Sequence, residues 1–287
     1  MSSEAFFLPD GSGGQRFALL HAEVERPRAL VLFIHPFAEE LNKSRRMAAL
    51  QSRALAKAGL AVLQFDLLGC GDSSGDFSDA SWQAWIDDVV RAARWLRERY
   101  PLTDTLSVWG LRAGCLLAAQ AAPMLAPVNL VFWQPAPQGK SILQQFLRLK
   151  LAGEILGGTA TATAEKLRKD LAEGLAVEVA GYPLPAAVAN GLGSATLGPL
   201  ADGKPLDSGC TLEWFEINSK IAAGELSVAA QQGAQAWVAA GWNVRTHLIP
   251  GPPFWQTAEI AEAPALVDAT VSALTAHEHR LSPTEAL

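Results

Sequence analysis

Short apolar runs rich in Val, Ile, Leu and Phe recur along this chain and alternate with longer segments of helical period, and this alternation constrains the fold more than any other feature. Runs that are apolar throughout belong to strands buried on both faces, and helical crossovers between them are what a parallel sheet requires. Strands are predicted at 15–22, 28–34, 61–65, 105–109, 129–133, 211–216 and 243–249, with a weaker one at 5–8. Helices are predicted at 45–58, ending at Gly59, at 82–99, ending before Pro101, and at 113–122 and 225–240. In the second helix Trp82, Trp85, Ile86, Val89, Val90, Ala93 and Leu96 recur at spacings of three and four, which makes these tryptophans core residues rather than a ligand platform.

One interval breaks the rhythm. Between 134 and 208 no sheet strand is predicted, although 144–151 and 164–175 read as helical. A gap of that length exceeds the few residues of an ordinary connection, so the expectation is a helical lid inserted into a core formed by 1–133 and 209–276. The Gly, Thr and Ala tract from Gly157 to Ala164 is an alternative flexible hinge, and 277–287 is expected to be a flexible tail.

With 287 residues, 49% of them hydrophobic and only 18% charged, the chain has ample material for one large core, and disorder is excluded as its main state. Its net charge of −6 argues against nucleic acid or an anionic membrane as partner. The N-terminus lacks a basic region followed by an apolar stretch, and no run of about 18 apolar residues occurs, so a soluble protein without a membrane span is expected. Cys70, Cys115 and Cys210 are odd in number and far apart, which fits neither a disulfide framework nor a zinc site and points to reduced thiols in the cytoplasm.

Three strand exits carry chemical signals. The segment 65–75, FDLLGCGDSSG, is glycine-rich, but no helix follows at once and no Lys is present, so it fails as a phosphate loop, and no cofactor is expected. The segment 108–120 runs from a strand through Gly110-Leu111-Arg112-Ala113-Gly114 into an Ala-rich helix. That is the frame of a G-x-S-x-G nucleophile elbow, with Arg112 where the serine belongs. A guanidinium stays protonated at physiological pH and is a poor nucleophile. The exit at His35-Pro36-Phe37 sits where hydrolases place an oxyanion donor, and Phe37 or Ala38 is expected to offer an N–H alongside that of Ala113. His35 itself reads equally as a packing residue or as a catalytic one.

Together these loops resemble the α/β-hydrolase superfamily, a mostly parallel central sheet flanked by helices. The strings IHPFAEELNKSRR (34–46), FDLLGCGDSSG (65–75), WGLRAG (109–114) and PGPPFWQTAEI (250–260) resemble the exosortase A system-associated hydrolase 2 family more closely. That resemblance implies a bacterial protein associated with exopolysaccharide production and protein sorting, called a hydrolase from its fold. The superfamily's triad transfers poorly. Glu216 can fill the acid's role, Arg112 replaces the nucleophile, and the loop 250–256 after the last strand holds no histidine.

Two readings of the site follow, and a third function class stands beside them. Arg112, two backbone donors and a helix N-terminus make a pocket for an anionic small molecule or glycan group, with Phe37, Phe254 and Trp255 as apolar surface; Glu39, Glu40 or Glu216 then lies close to Arg112, and such a carboxylate neutralising Arg112 as an internal plug is the competing account. Alternatively Glu39, Glu40 or Glu216 acts as a general base on an ester, with Arg112 as clamp and His35 moving a proton. The third class is a scaffold that binds a protein through the lid. Oligomeric state is not readable.

Overall fold

The computed structural model describes residues 3–156, 163–199, 210–219 and 224–276. Eight strands form one sheet: β1 (Ser3–Pro9), β2 (Gln15–His21), β3 (Leu30–Ile34), β4 (Ala61–Phe65), β5 (Leu106–Leu111), β6 (Asn129–Trp133), β9 (Thr211–Asn218) and β10 (Asn243–Pro250). Their spatial order is β1-β2-β4-β3-β5-β6-β9-β10. The pairs β1–β2 and β2–β4 are antiparallel, and every pair from β4 to β10 is parallel, with Leu32 opposite both Leu63 and Val108. This is the α/β-hydrolase fold that the sequence resembles.

Alternation within each strand divides the core in two. On one face Leu30, Leu32 and Ile34 of β3 pack with α2 (Trp82–Arg99) and α3 (Ala113–Leu125). On the other, Val31 and Phe33 join Trp109 and Trp133 beneath α1 (Glu39–Lys57) and α8 (Pro264–Thr275). The tryptophans of α2 are core, as its period predicts: Trp82 and Trp85 are buried, and Ser81 caps the helix by accepting the Ala84 N–H. The crossover from β9 to β10 is α7 (Val228–Ala239).

Several boundaries differ from expectation. The helix predicted from 45 begins at Glu39, because Pro36 and the left-handed Ala38 end the strand exit and two glutamates favour the positive end of a helix. The helix predicted at 113–122 runs on past Pro123 to Leu125. α8 has no counterpart among the predicted helices, although Pro264 stands at its first turn. The stretch between β6 and β9 is richer than expected: α4 (Gly139–Leu156), α5 (Ala164–Ala172), a hairpin of β7 (Val177–Val179) and β8 (Tyr182–Leu184) separate from the main sheet, and α6 (Ala186–Ser194). Most of the proposed hinge tract and all of the tail at 277–287 lie outside the described residues. Among the described residues, no helix is long and apolar enough to cross a membrane.

The sheet's carboxyl edge has a peculiar rim. Ala38, Arg112 and Gln134, just past β3, β5 and β6, all have positive φ (48°, 55° and 43°), and these three strands are neighbours in the sheet. Side chains other than glycine's seldom adopt this conformation, at a cost of about 1–3 kcal/mol each.

Candidate functional site at the elbow

Arg112 stands at the turn from β5 into α3, with φ 55° and ψ −113°. The corner is held by its backbone: the Arg112 N–H donates to Trp133 O (3.0 Å), and the Cys115 N–H donates to Arg112 O (3.1 Å). The flanking glycines are required by space. A Cβ on Gly110 would lie 2.5 Å from Cys115 N, and one on Gly114 would lie 2.3 Å from Ile34 O. The second contact shows that the start of α3 is wedged against the exit of β3, which brings the two corners side by side. Neither the Ala38 nor the Ala113 N–H has an acceptor among the described residues, as the first N–H groups of a helix lack intrahelical partners.

The guanidinium meets three different segments. Its Nε donates to Glu40 Oε1 (3.3 Å) in the first turn of α1, and its Nη2 donates to Gln145 Oε1 (3.1 Å) of α4. Its Cζ lies 5.7 Å from the ring centre of Trp255, in the loop after the last strand. Two of five N–H donors are thereby used, and the side chain is 12% exposed. The expected carboxylate partner is thus Glu40. Gln145 lies outside the expected set; it flanks the stripe of Ile142 and Phe146 that α4 buries, and no feature of the sequence sets it apart from Gln144.

Glu40 is buried, and its Oε2 has no hydrogen-bond partner among the described residues. Burial outweighs the neighbouring guanidinium and pushes its pKa up to about 7. Glu39 is half-buried; desolvation also raises its pKa, and its Oε2 is likewise without a partner. Glu216 does not join them: its Oε2 accepts the Ser227 N–H (2.9 Å) just ahead of α7, a backbone partner that the strand pattern could not reveal.

His35 is committed to structure. Its Nε2 accepts the Leu67 N–H (3.3 Å), which places the proton on Nδ1, where it donates to Pro36 O (2.8 Å). Both ring nitrogens are occupied, and burial lowers the pKa and keeps the ring neutral. The expected apolar ligand surface is also corrected. Phe254 is fully buried against Trp133, Trp255 is turned to Arg112, and Phe37 packs edge-on against Phe146 of α4 (5.0 Å). Phe146 and Phe77 in turn contact Tyr182 of β8, so the segment between β6 and β9 covers this rim with rings.

The glycine-rich exit of β4 is internally satisfied. Ser73 Oγ donates to Asp66 O (2.5 Å) and accepts the Phe17 N–H (3.0 Å), Ser74 Oγ accepts the Gln15 N–H, and Asp66 pairs with Arg45 (3.2 Å). Cys70 and Cys115 are buried free thiols with pKa raised by desolvation, and Cys210 is also free. His247, in β10, pairs with the buried Glu213 (2.6 Å) and stacks on Phe215. Among the described residues, no group of three or more His, Cys, Asp or Glu could hold a metal ion.

Comparison with known proteins follows the same lines. The chain is similar in structure to Est1E from Butyrivibrio proteoclasticus with ferulic acid bound (TM-score 0.69, 16% identity, covering 96% of this chain and 100% of that one). It is similar to a highly thermostable carboxyl esterase from Bacillus coagulans (TM-score 0.61, 14% identity, 96% and 99%). It is also similar to a proline iminopeptidase from Mycobacterium smegmatis (TM-score 0.55, 15% identity, 97% and 100%). At these identities the likeness is one of fold. No curated protein matches the chain in sequence. A family model described as Hydrolase_4, serine aminopeptidase, S33, matches residues 25–172, a span that holds the β3 exit, the β4 exit and the elbow and exceeds half of the chain. On that match the chain belongs to the Hydrolase_4 (serine aminopeptidase, S33) family of α/β-hydrolases.

Proposed function

We propose that this family member binds an anionic group of a small molecule or glycan at the elbow and does not form an acyl-enzyme. The observation that carries the reading is the Arg112 guanidinium. It occupies the strained corner from which a serine would attack, and three of its five N–H donors are without an acceptor among the described residues. The unengaged N–H groups of Ala38 and Ala113 add donors at two helix starts. In this reading the triad is degenerate. The loop 250–256 supplies Trp255 rather than a histidine, and His35 has no free nitrogen. The segment 134–208 serves as a lid, contributing Gln145 to the elbow. The resemblance to the exosortase A system-associated hydrolase 2 family extends the proposal to acidic groups met in exopolysaccharide production and protein sorting, and the buried free thiols fit a cytoplasmic location.

One observation favours a second reading. Glu40, with its pKa raised to about 7 beside Arg112, is suited to act as a general base on water attacking an ester held by Arg112. Calorimetric titration with glucuronate and inorganic phosphate, run beside a panel of nitrophenyl esters, separates the two. Saturable binding that Arg112→Ala abolishes, with no ester turned over, supports the binding protein. Turnover that Glu40→Gln abolishes supports the hydrolase, and absence of both overturns both.

A further inference from the structure

We infer that the acid held at the elbow is a 2-hydroxycarboxylate whose hydroxyl sits between Glu40 and Trp255. The inference rests on the reading of Arg112 as an anion site and names the ligand class for it. Two residues that contact that guanidinium each carry a buried polar atom without a partner among the described residues: Glu40 Oε2, an acceptor, and Trp255 Nε1, a donor. Each residue is 4% exposed, so water does not readily satisfy either atom. Each is also tied to Arg112 by the rest of its side chain, Glu40 through Oε1 at 3.3 Å and Trp255 through its ring face at 5.7 Å.

An unmatched acceptor and an unmatched donor beside one cation select among ligand groups. A carboxylate oxygen set between the two orphans answers Trp255 but meets Glu40 Oε2 with a like charge and no proton to donate. An ammonium answers Glu40 but is repelled by Arg112. A hydroxyl serves both orphans, since its O–H donates to Glu40 Oε2 and its lone pair accepts the Trp255 Nε1–H. Glu40 Oε2 belongs to the same carboxylate that holds Arg112 Nε, so this hydroxyl lies close to the anionic group, on the carbon next to it. The ligand's carboxylate takes the unengaged guanidinium N–H groups and displaces Gln145 Oε1 from Nη2. The acid end of an aldonate sugar has this pattern.

The test compares mandelate with phenylacetate, which differ only in the 2-hydroxyl, by calorimetry on the full chain at pH 8. A preference for mandelate of about tenfold is expected, because a buried hydrogen bond to a charged group is involved. Trp255→Phe keeps a ring over Arg112 and removes the donor; in this variant the ratio of affinities falls to about threefold, because the bond to Glu40 remains. The ratio is the readout, so a general loosening that weakens both ligands cancels. Equal affinity of the unmodified protein for the two acids, lost in Arg112→Ala, overturns this inference and leaves the anion site standing. A mandelate preference undiminished in Trp255→Phe overturns the assignment of the hydroxyl to Trp255. Failure of both acids to bind overturns this inference, and overturns the anion site with it where glucuronate and phosphate also fail.

Discussion

Replacing Glu40 by Gln measures how strongly the elbow holds a charge against its own burial. Glu40 is 4% exposed, one oxygen meets Arg112 at 3.3 Å and the other has no partner among the described residues, and its pKa rises from 4.5 to about 7. An acid whose folded pKa lies above its unfolded value binds more protons when folded. Its contribution to stability is complete below about pH 4.5 and is lost as pH rises through about 7. At about 1.36 kcal/mol per tenfold change in proton affinity, the whole interval is worth about 3 kcal/mol, most of which falls between pH 5 and pH 8. Urea denaturation of the unmodified protein and of Glu40→Gln at those two pH values isolates this quantity. Titrating groups not coupled to Glu40 cancel in the difference, including His35, whose lowered pKa acts in the opposite direction by favouring the folded state as pH rises. The unmodified protein is expected to lose about 2–3 kcal/mol relative to the variant on going from pH 5 to pH 8. A relative change under about 0.5 kcal/mol would mean that Glu40 is solvated in the folded chain, and the account of the elbow's electrostatics would fail.

Two further substitutions probe the same corner, and a third probes the exit of β4. Arg112→Ser is expected to remain inert towards nitrophenyl esters and a fluorophosphonate probe, since loop 250–256 has no histidine and both nitrogens of His35 are engaged; robust labelling of the introduced hydroxyl would contradict the loop assignment. Gly114→Ala places a methyl 2.3 Å from Ile34 O and is expected to cost about 1–3 kcal/mol in urea denaturation, whereas a neutral effect would deny the close approach of α3 to β3. Ser73→Ala removes both a donor to Asp66 O and an acceptor for the Phe17 N–H, and should cost about 1–3 kcal/mol while ligand affinity stays unchanged. A Ser73→Ala protein of full stability and lost function would instead make that serine a working group.

Periodicity in the sequence locates the sheet well because its strands are apolar on both faces and its crossovers are amphipathic; β4 (Ala61–Phe65) and β6 (Asn129–Trp133) have the bounds expected of them. Helix starts are less legible where tertiary packing decides them, as for Glu39 at the head of α1, or where the helix is short and weakly patterned, as for α8. In the site, the glycines flanking Arg112 announce the corner, because steric need leaves a mark on the sequence. Partners leave no such mark. Gln145 reaches Arg112 from a helix 33 positions away, and His35 is tied down by two backbone atoms that any residues would supply.

The three left-handed corners past β3, β5 and β6 give the sheet a rim of interchangeable sockets. At the middle socket, glycines and backbone hydrogen bonds fix the shape, and the tip side chain contributes little to it. The same corner therefore has room for a hydroxyl or a cation at position 112 within one glycine frame. Backbone superposition alone therefore does not separate this chain from esterases of the same fold, and residue 112 is where the proposed anion-binding reading departs from a serine elbow.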